Sequence, residues 1–235
     1  MERRSAPSLE SRGVRYRRDV SVTQRARSAS DKARRRADLL AAARGIALER
    51  SVNAVTLAAV TAAVGLHPSA VRRYFDSREE MLLELARDGW VDWRANLARI
   101  LAGRRGMPAD DVAEALSSSL SELPLFCDLL THVVLSLEGA VRLERAREYK
   151  AVAAEAYDAM IDALVASASG VDRHAAHVAM KAAMSSGAFL FQLARPKDTL
   201  RELYEMEPGL ARDTLDLRAQ LNEVLAAVLR GLVES

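Results

Sequence analysis

The residues best equipped for chemistry crowd into twenty positions, Thr56 to Phe75, where His67, Ser69, Arg72 and Arg73 put polar and cationic groups on one side of a short segment. Leu57, Val60, Val64, Leu66, Val71 and Phe75 fall on the other side and can pack inward. Gly65, free to take left-handed torsions, marks a tight turn between them, so the window reads as two short helices in a helix-turn-helix. A helix of that width enters the major groove of DNA, where base edges offer a readable pattern of donors and acceptors. On sidedness alone, a plain helical hairpin with no nucleic-acid role stays open.

Other chemistries find little support. His174 and His177 sit one turn apart and would suit a metal, but no third ligand accompanies them. His67 and His132 are isolated, Asp158 and Asp162 share a face that is ordinarily solvated, and no Gly-x-Ser-x-Gly elbow, phosphate-cradling glycine loop or His-Glu-x-x-His occurs. The expectation is no catalytic residue, no metal and no cofactor. Cys127 is the single cysteine, which excludes an internal disulfide and reads as a buried, inert thiol in a reducing compartment.

The elements that must position the Thr56–Phe75 window are helices. In 235 residues, 50% are hydrophobic but only 5% aromatic, and glycine (11) and proline (6) are scarce, which excludes a disordered chain and argues for an all-α fold. Residues 1–30, with eight arginines and no helical periodicity, read as a basic flexible tail, either merely solvated or an arm reaching DNA. Asp31 can cap a first helix to about Arg50 with Leu39, Ala43, Ile46 and Ala47 inward; Thr56 starts the second and His67-Pro68 opens the third, which ends near Phe75. Ser77 and Glu80 form a capping box that launches a long helix to about Leu101, with an inward stripe of Leu82, Leu85, Gly89, Trp93, Leu97 and Ile100. The domain boundaries expected are a tail at 1–30, a three-helix DNA-binding domain at 31–77, and a larger helical domain at 78–235.

Charge follows the same division. Residues 1–50 hold 14 Lys/Arg against 6 Asp/Glu, and residues 103–235 hold 14 against 20, so a modest net charge of +2 conceals a polyanion-binding end. The basic end has no amphipathic stripe for a membrane surface and runs into no apolar segment of a secretory or twin-arginine signal, which favours the cytoplasm. Ser51 to Val71 carries no charge over 21 residues, yet Gly65 and Pro68 break it, so it is not read as a membrane span.

Taken together, Glu49-Arg50, Val52-Asn53-Ala54, Thr56, Gly65, Pro68-Ser69-Ala70-Val71, Tyr74-Phe75 and Ser77-Arg78-Glu79-Glu80-Met81 resemble the tetracycline-repressor (TetR) family of bacterial transcriptional regulators. The signal is strong over about fifty residues, Arg34 to Leu85, and beyond them rests on length and helical character. The resemblance implies a homodimeric repressor whose C-terminal domain binds a small molecule and so releases DNA. It would place the hydroxyl of Thr56 and the start of its helix on a phosphate. His67, Pro68, Ser69 and Ala70 would lie at the groove end of the recognition helix, Tyr74 would bond a phosphate, and Arg78 would stand at the family's phosphate-binding lysine. Arg72 replaces the usual aromatic residue and Ser51 a common glycine; Arg72 then either reads guanine bidentately or touches phosphate alone. Arg34, Arg35 and Arg36 form a solvated face or a phosphate-contacting edge, which the resemblance favours.

In the C-terminal half, Trp90, Trp93, Phe126, Leu130, Tyr157, Met160, Met180, Met184 and Phe189 offer an adaptable apolar lining for a small apolar or amphipathic effector, each being equally suited to ordinary core. Two late helices, Arg173 to about Leu193 and Asp213 to Val233, carry stripes that suggest a dimer interface through Ala182, Ser186, Phe189, Leu221, Leu225, Val228 and Leu232. A ligand-independent DNA-binding or architectural protein of the same fold, and a helical binding protein or enzyme without a DNA role, are the competing readings.

Overall fold

Three polar residues start helices here, as their side-chain oxygens suit them to do. Thr56 accepts from the Ala59 amide at 3.1 Å, Ser77 from Glu80 at 3.1 Å and Asp172 from Ala175 at 2.8 Å, each satisfying a donor that the first helical turn leaves open. A computed structural model describes residues 10–211 and 216–233, with residues 10–28 and Pro68 given by backbone alone. The described residues form α-helices and no named strand: α1 Glu10–Glu49, α2 Leu57–Ala63, α3 Pro68–Val71, α4 Arg78–Leu101, α5 Ala109–Ser121, α6 Pro124–His132, α7 Leu143–Ser167, α8 Arg173–Ala194, α9 Asp198–Met206 and α10 Leu217–Val233. Between α6 and α7 lie a π-helical turn, Val133–Leu137, and a 3₁₀ turn, Glu138–Ala140.

Helices α1 to α3 close over a small core of Leu39, Ala43, Val52, Val55, Val60, Val71 and Phe75, all essentially inaccessible. The long α4 leaves this core and becomes the spine of the second one, packing against α5, α6 and α7, while α10 lies across α5 and α8. The stripe expected on α4 is buried at Leu82, Leu85, Gly89, Trp93 and Leu97, and Ile100 is partly buried. Gly89 is there for closeness: a Cβ at that position would stand 2.2 Å from the ring of Phe126 on α6, so any side chain would force the helices apart.

Four expectations need adjustment. Helix α1 begins at Glu10 rather than Asp31, because no proline and only Gly13 interrupts residues 10–30, and the intervening residues, arginine, alanine and glutamine among them, are compatible with a helix. Helix α3 is one turn long; Arg72 to Tyr74 continue as tight turns, with the amides of Tyr74 and Phe75 both donating to the Val71 carbonyl at 2.8 and 3.0 Å. The Glu80 carboxylate reaches back one residue further than a capping box requires, accepting from Asp76 N at 2.7 Å, and also pairs with Arg145 at 2.8 Å, which ties α4 to α7. Asp213 lies outside the described residues, and Asp216 caps α10 by accepting from the Arg218 and Ala219 amides at 3.0 and 3.3 Å. Among the described residues, no single helix is long and apolar enough to cross a membrane.

Candidate nucleic-acid interface and ligand cavity

Gly65 takes φ 67°, the left-handed geometry that turns the chain from α2 into α3. Below the turn, Val60, Val71 and Phe75 are buried, and Leu57, Val64 and Leu66 pack against them. That leaves His67, Ser69, Arg72 and Arg73 exposed and Ala70 half-buried, the sidedness that the spacing predicts. His67 has a structural duty besides: its Nδ1 accepts from the Ser69 amide at 3.3 Å and meets Ser69 Oγ at 2.9 Å, capping a helix that Pro68 opens at its first turn. Thr56 is exposed at the start of α2 and Tyr74 is half-buried beside the core. Arg34 and Arg35 are exposed on α1, where Arg34 pairs with Asp31 at 3.3 Å.

Two of the basic residues are engaged inside the protein. Arg36 forms an ion pair with Glu84 on α4 and lies over the Phe75 ring, 4.5 Å from its centroid. Arg78, expected at a phosphate, donates instead from Nε to the Val55 carbonyl at 2.5 Å and from Nη2 to the Val52 carbonyl at 2.8 Å. The reason is local: the Val52 carbonyl, which already accepts the Val55 amide at 3.2 Å, and the Val55 carbonyl just past the turn Val52–Ala54 both lie within reach of one guanidinium, whose fork of donors serves two acceptors where a lysine offers a single point charge. Arg78 therefore braces the head through Nε and Nη2.

A second carboxylate joins the head to the larger domain. Asp128 on α6 is buried; its Oδ2 accepts from the Val52 amide at 3.0 Å and its Oδ1 from Gln192 Nε2 at 2.9 Å, with His132 Nε2 at 3.6 Å. Burial opposes its ionisation, but the imidazole of His132 beside it and the hydrogen bonds from Gln192 and Val52 outweigh that and hold the carboxyl below its ordinary range.

Within the larger domain, a cavity of about 330 Å³ lies among α4, α6, α7 and α8, lined chiefly by Trp90, Leu130, Val133, Val134, Tyr149, Ala153, Met184 and Ala188. Its rim holds Lys181, Ser185 and the ion pair of Lys150 with Glu138, 2.7 Å long. Inside, Trp90 Nε1 donates to the Tyr149 hydroxyl at 2.9 Å, and burial pushes that phenol up to about 12. Of the lining expected from the sequence, Trp90, Leu130 and Met184 are on the wall. Trp93, Phe126, Met160 and Met180 are not; they are core. Trp93 donates to Ser119 Oγ at 3.0 Å and, with Trp90 and Phe126, forms a cluster with centroids 5.3 to 6.0 Å apart, an arrangement with no room left inside it. Tyr157 stacks on His177 at 5.6 Å and meets Trp90 edge-on at 6.4 Å, behind the wall rather than on it. Tyr149, Lys150, Lys181 and the π-turn valines escaped the sequence reading; the single cue was Val133-Val134-Leu135, an apolar run that ends a short helix.

The surface suggested for self-association divides. Leu221 and Leu225 are fully buried in their own chain, because α10 packs on α5 and α8; Gly187 meets Leu120 there, with a Cβ at 187 falling 2.8 Å from Leu120 Cδ2. Val228 and Leu232 are half-buried. Ala182, Ser186, Phe189 and Leu193 share the outer face of α8, where Phe189 is 64% exposed and Leu193 49%. Cys127 is buried, its thiol pushed up to about 12 by desolvation. Among the described residues, no group of three or more His, Cys, Asp or Glu could hold a metal ion.

Residues 39–85 match the model of the bacterial regulatory proteins of the tetR family, and residues 87–235 match a tetracyclin repressor-like C-terminal domain. No curated protein matches the sequence. Among solved structures, a TetR/AcrR-family transcriptional regulator from Thermobifida fusca is similar at 18% identity and TM-score 0.52, covering 84% of this chain and 97% of that one. The regulator FadR from Bacillus subtilis, solved with stearoyl-CoA, is similar at 15% identity and TM-score 0.49, covering 83% and 97%. RolR, solved with resorcinol, is similar at 18% identity and TM-score 0.43, covering 84% and 95%. With both halves matched, and a helix-turn-helix whose polar side faces outward, this chain belongs to the TetR family and is a DNA-binding transcriptional regulator, not an enzyme.

Proposed function

We propose that the chain acts in the cytoplasm as a homodimeric repressor that grips a pseudo-palindromic operator and lets go when a small amphipathic molecule fills the α4–α8 cavity. The observation that carries the DNA half is the outward pair Arg72 and Arg73, exposed on a turn whose neighbours Val71 and Phe75 are buried. Arg34, Arg35, Thr56, His67, Pro68, Ser69, Ala70, Tyr74 and Arg78 are the remaining candidates for phosphate and base contacts. One such head presents too few side chains to specify a site, and two-fold pairing supplies a second, with half-sites at least about 34 Å apart. The outer face of α8, with Val224 and Val228 on α10, is the surface we assign to pairing; Phe189 is its largest exposed side chain.

The effector half rests on the cavity. Its apolar wall suits a hydrocarbon or aromatic body, and Lys150, Glu138 and Lys181 at its rim suit a polar end, so of the apolar and amphipathic candidates the amphipathic one fits better. Filling the cavity pushes on α6 and the π-turn, and α6 carries Asp128, whose carboxylate holds the Val52 amide of the head. A ligand that favours the released conformation by about 1 to 3 kcal/mol suffices to shift DNA affinity.

The test is to select DNA fragments with the purified protein, confirm them by mobility shift, and screen hydrophobic compounds by thermal shift. A compound that raises the melting temperature and weakens the mobility shift supports the reading. DNA binding unaffected by every stabilising compound would leave a ligand-independent DNA-binding protein instead.

A further inference from the structure

A second concavity, of about 590 Å³, opens where the two domains meet, and it differs in kind from the apolar cavity. Arg50, at the end of α1, stands on the head's side; Arg195, Lys197 and Arg201 stand on the other, from the end of α8 into α9. Two carboxylates also line it, and both are spoken for: Asp128 by the Val52 amide, Gln192 and His132, and Asp198 by Arg201 at 2.9 Å. The nearest carboxylate to Arg50 is Glu49, at a long 3.8 Å. Among the described residues, Arg195 and Lys197 have no ion-pair partner; Arg195 lies over the Phe191 ring at 4.8 Å, which fixes the guanidinium while leaving its donors open. Helix α9 starts beside them with Lys197 at its cap position and no side-chain cap for its first amides.

We propose that this interdomain cleft is a binding site for a small oxyanion, a phosphate or carboxylate, held by Arg195 and Lys197 with Arg50 closing from the head. Two cations without an ion-pair partner, Arg195 and Lys197, and a third, Arg50, held by Glu49 at 3.8 Å, set a positive field around a concave, polar space that an anion relieves, and a bidentate oxyanion matches the fork of Arg195. Because its walls come from both domains, an occupant braces the head against the larger domain beside the Asp128–Val52 contact. The site is separate from the α4–α8 cavity and does not depend on what fills that one.

The experiment uses the full chain at constant ionic strength, with inorganic phosphate or succinate replacing chloride, read by thermal shift. A site of this kind gives a saturable rise of about 3 to 6 °C at ten times the half-saturating concentration. The rise should vanish in Arg195→Gln/Lys197→Gln and in Lys197→Gln alone shrink at least about threefold; Lys197 is exposed, so that variant folds whatever Arg195 contributes to packing. It should persist in Arg72→Glu/Arg73→Glu, whose failure to bind DNA concerns the other face. No rise beyond chloride, or an equal rise in the double variant, overturns the proposal. So does loss of DNA binding by the double variant when the wild-type chain shows no phosphate response, which would make the cleft a contact for the duplex backbone.

Discussion

The reading head and the ligand domain are both helical and both well packed, yet they announce their purpose differently. In the head the informative side chains are the ones left out: once Val60, Val71 and Phe75 fill a small core, Arg72 and Arg73 have nowhere to go but solvent. In the ligand domain the informative feature is a gap in the packing, and a gap belongs to no residue. Trp90 and Trp93 lie three positions apart on α4, yet one walls the cavity and the other is sealed in core. A solvated face is thus a local property of a helix, whereas a cavity depends on how four helices meet.

That contrast can be broken most sharply at the head. Arg72→Glu/Arg73→Glu should lower affinity for selected DNA by at least about 100-fold, since each reading contact is worth about 1 to 3 kcal/mol and charge reversal adds repulsion, while circular dichroism stays unchanged. Unaltered binding would move the interface to another surface. Next in size is Phe189→Glu/Leu193→Glu, which should convert a dimer to a monomer in analytical ultracentrifugation and cost most of the DNA affinity; a persistent dimer would take pairing away from the outer face of α8.

Within the larger domain, Gly89→Ala should destabilise by about 1 to 3 kcal/mol in denaturant titrations, because its methyl group must displace the Phe126 ring. The equivalent change at Gly45, where a Cβ meets nothing within 4 Å, should be neutral or stabilising. Equal effects at the two glycines would deny the tight α4–α6 contact.

A last effect, no larger than that at Gly89, sharpens the joint between the two regions. Asp128→Ala leaves the Val52 amide without its acceptor and Gln192 with only the long bond to Thr131, 3.4 Å, and should cost about 1 to 3 kcal/mol. Since the folded carboxyl titrates below its unfolded value of about 3.9, its contribution is present above that pH and lost as pH falls through the lower folded value. The stability difference between wild type and Asp128→Asn should accordingly be constant above about pH 5 and shrink below pH 4, as followed by urea melts across that range. A difference that grows on acidification would mean the carboxylate is not held ionised.

Legibility tracked the same division. Caps at Thr56 and Ser77, the turn at Gly65 and the inward stripe of α4 were readable because each depends on neighbours within one helical turn. The polar side of Thr56–Phe75 was readable for the same reason. Arg78 was not, because its partners, the carbonyls of Val52 and Val55, lie more than twenty positions back. Leu221 and Leu225 have the spacing of an interface stripe, but spacing does not say whether the surface opposite belongs to another copy or to α5 of the same chain. The partnership of Asp128 with Val52, across 76 positions, leaves no local trace either.

The central claim is that two outward arginine-bearing heads grip one duplex together. Fluorescence titration of a labelled, selected duplex at several salt concentrations tests it directly. With about four phosphates neutralised by each head, the account predicts two chains bound per duplex and a log-log salt slope near −7. One chain per duplex with a slope of about −3.5 or shallower would contradict it.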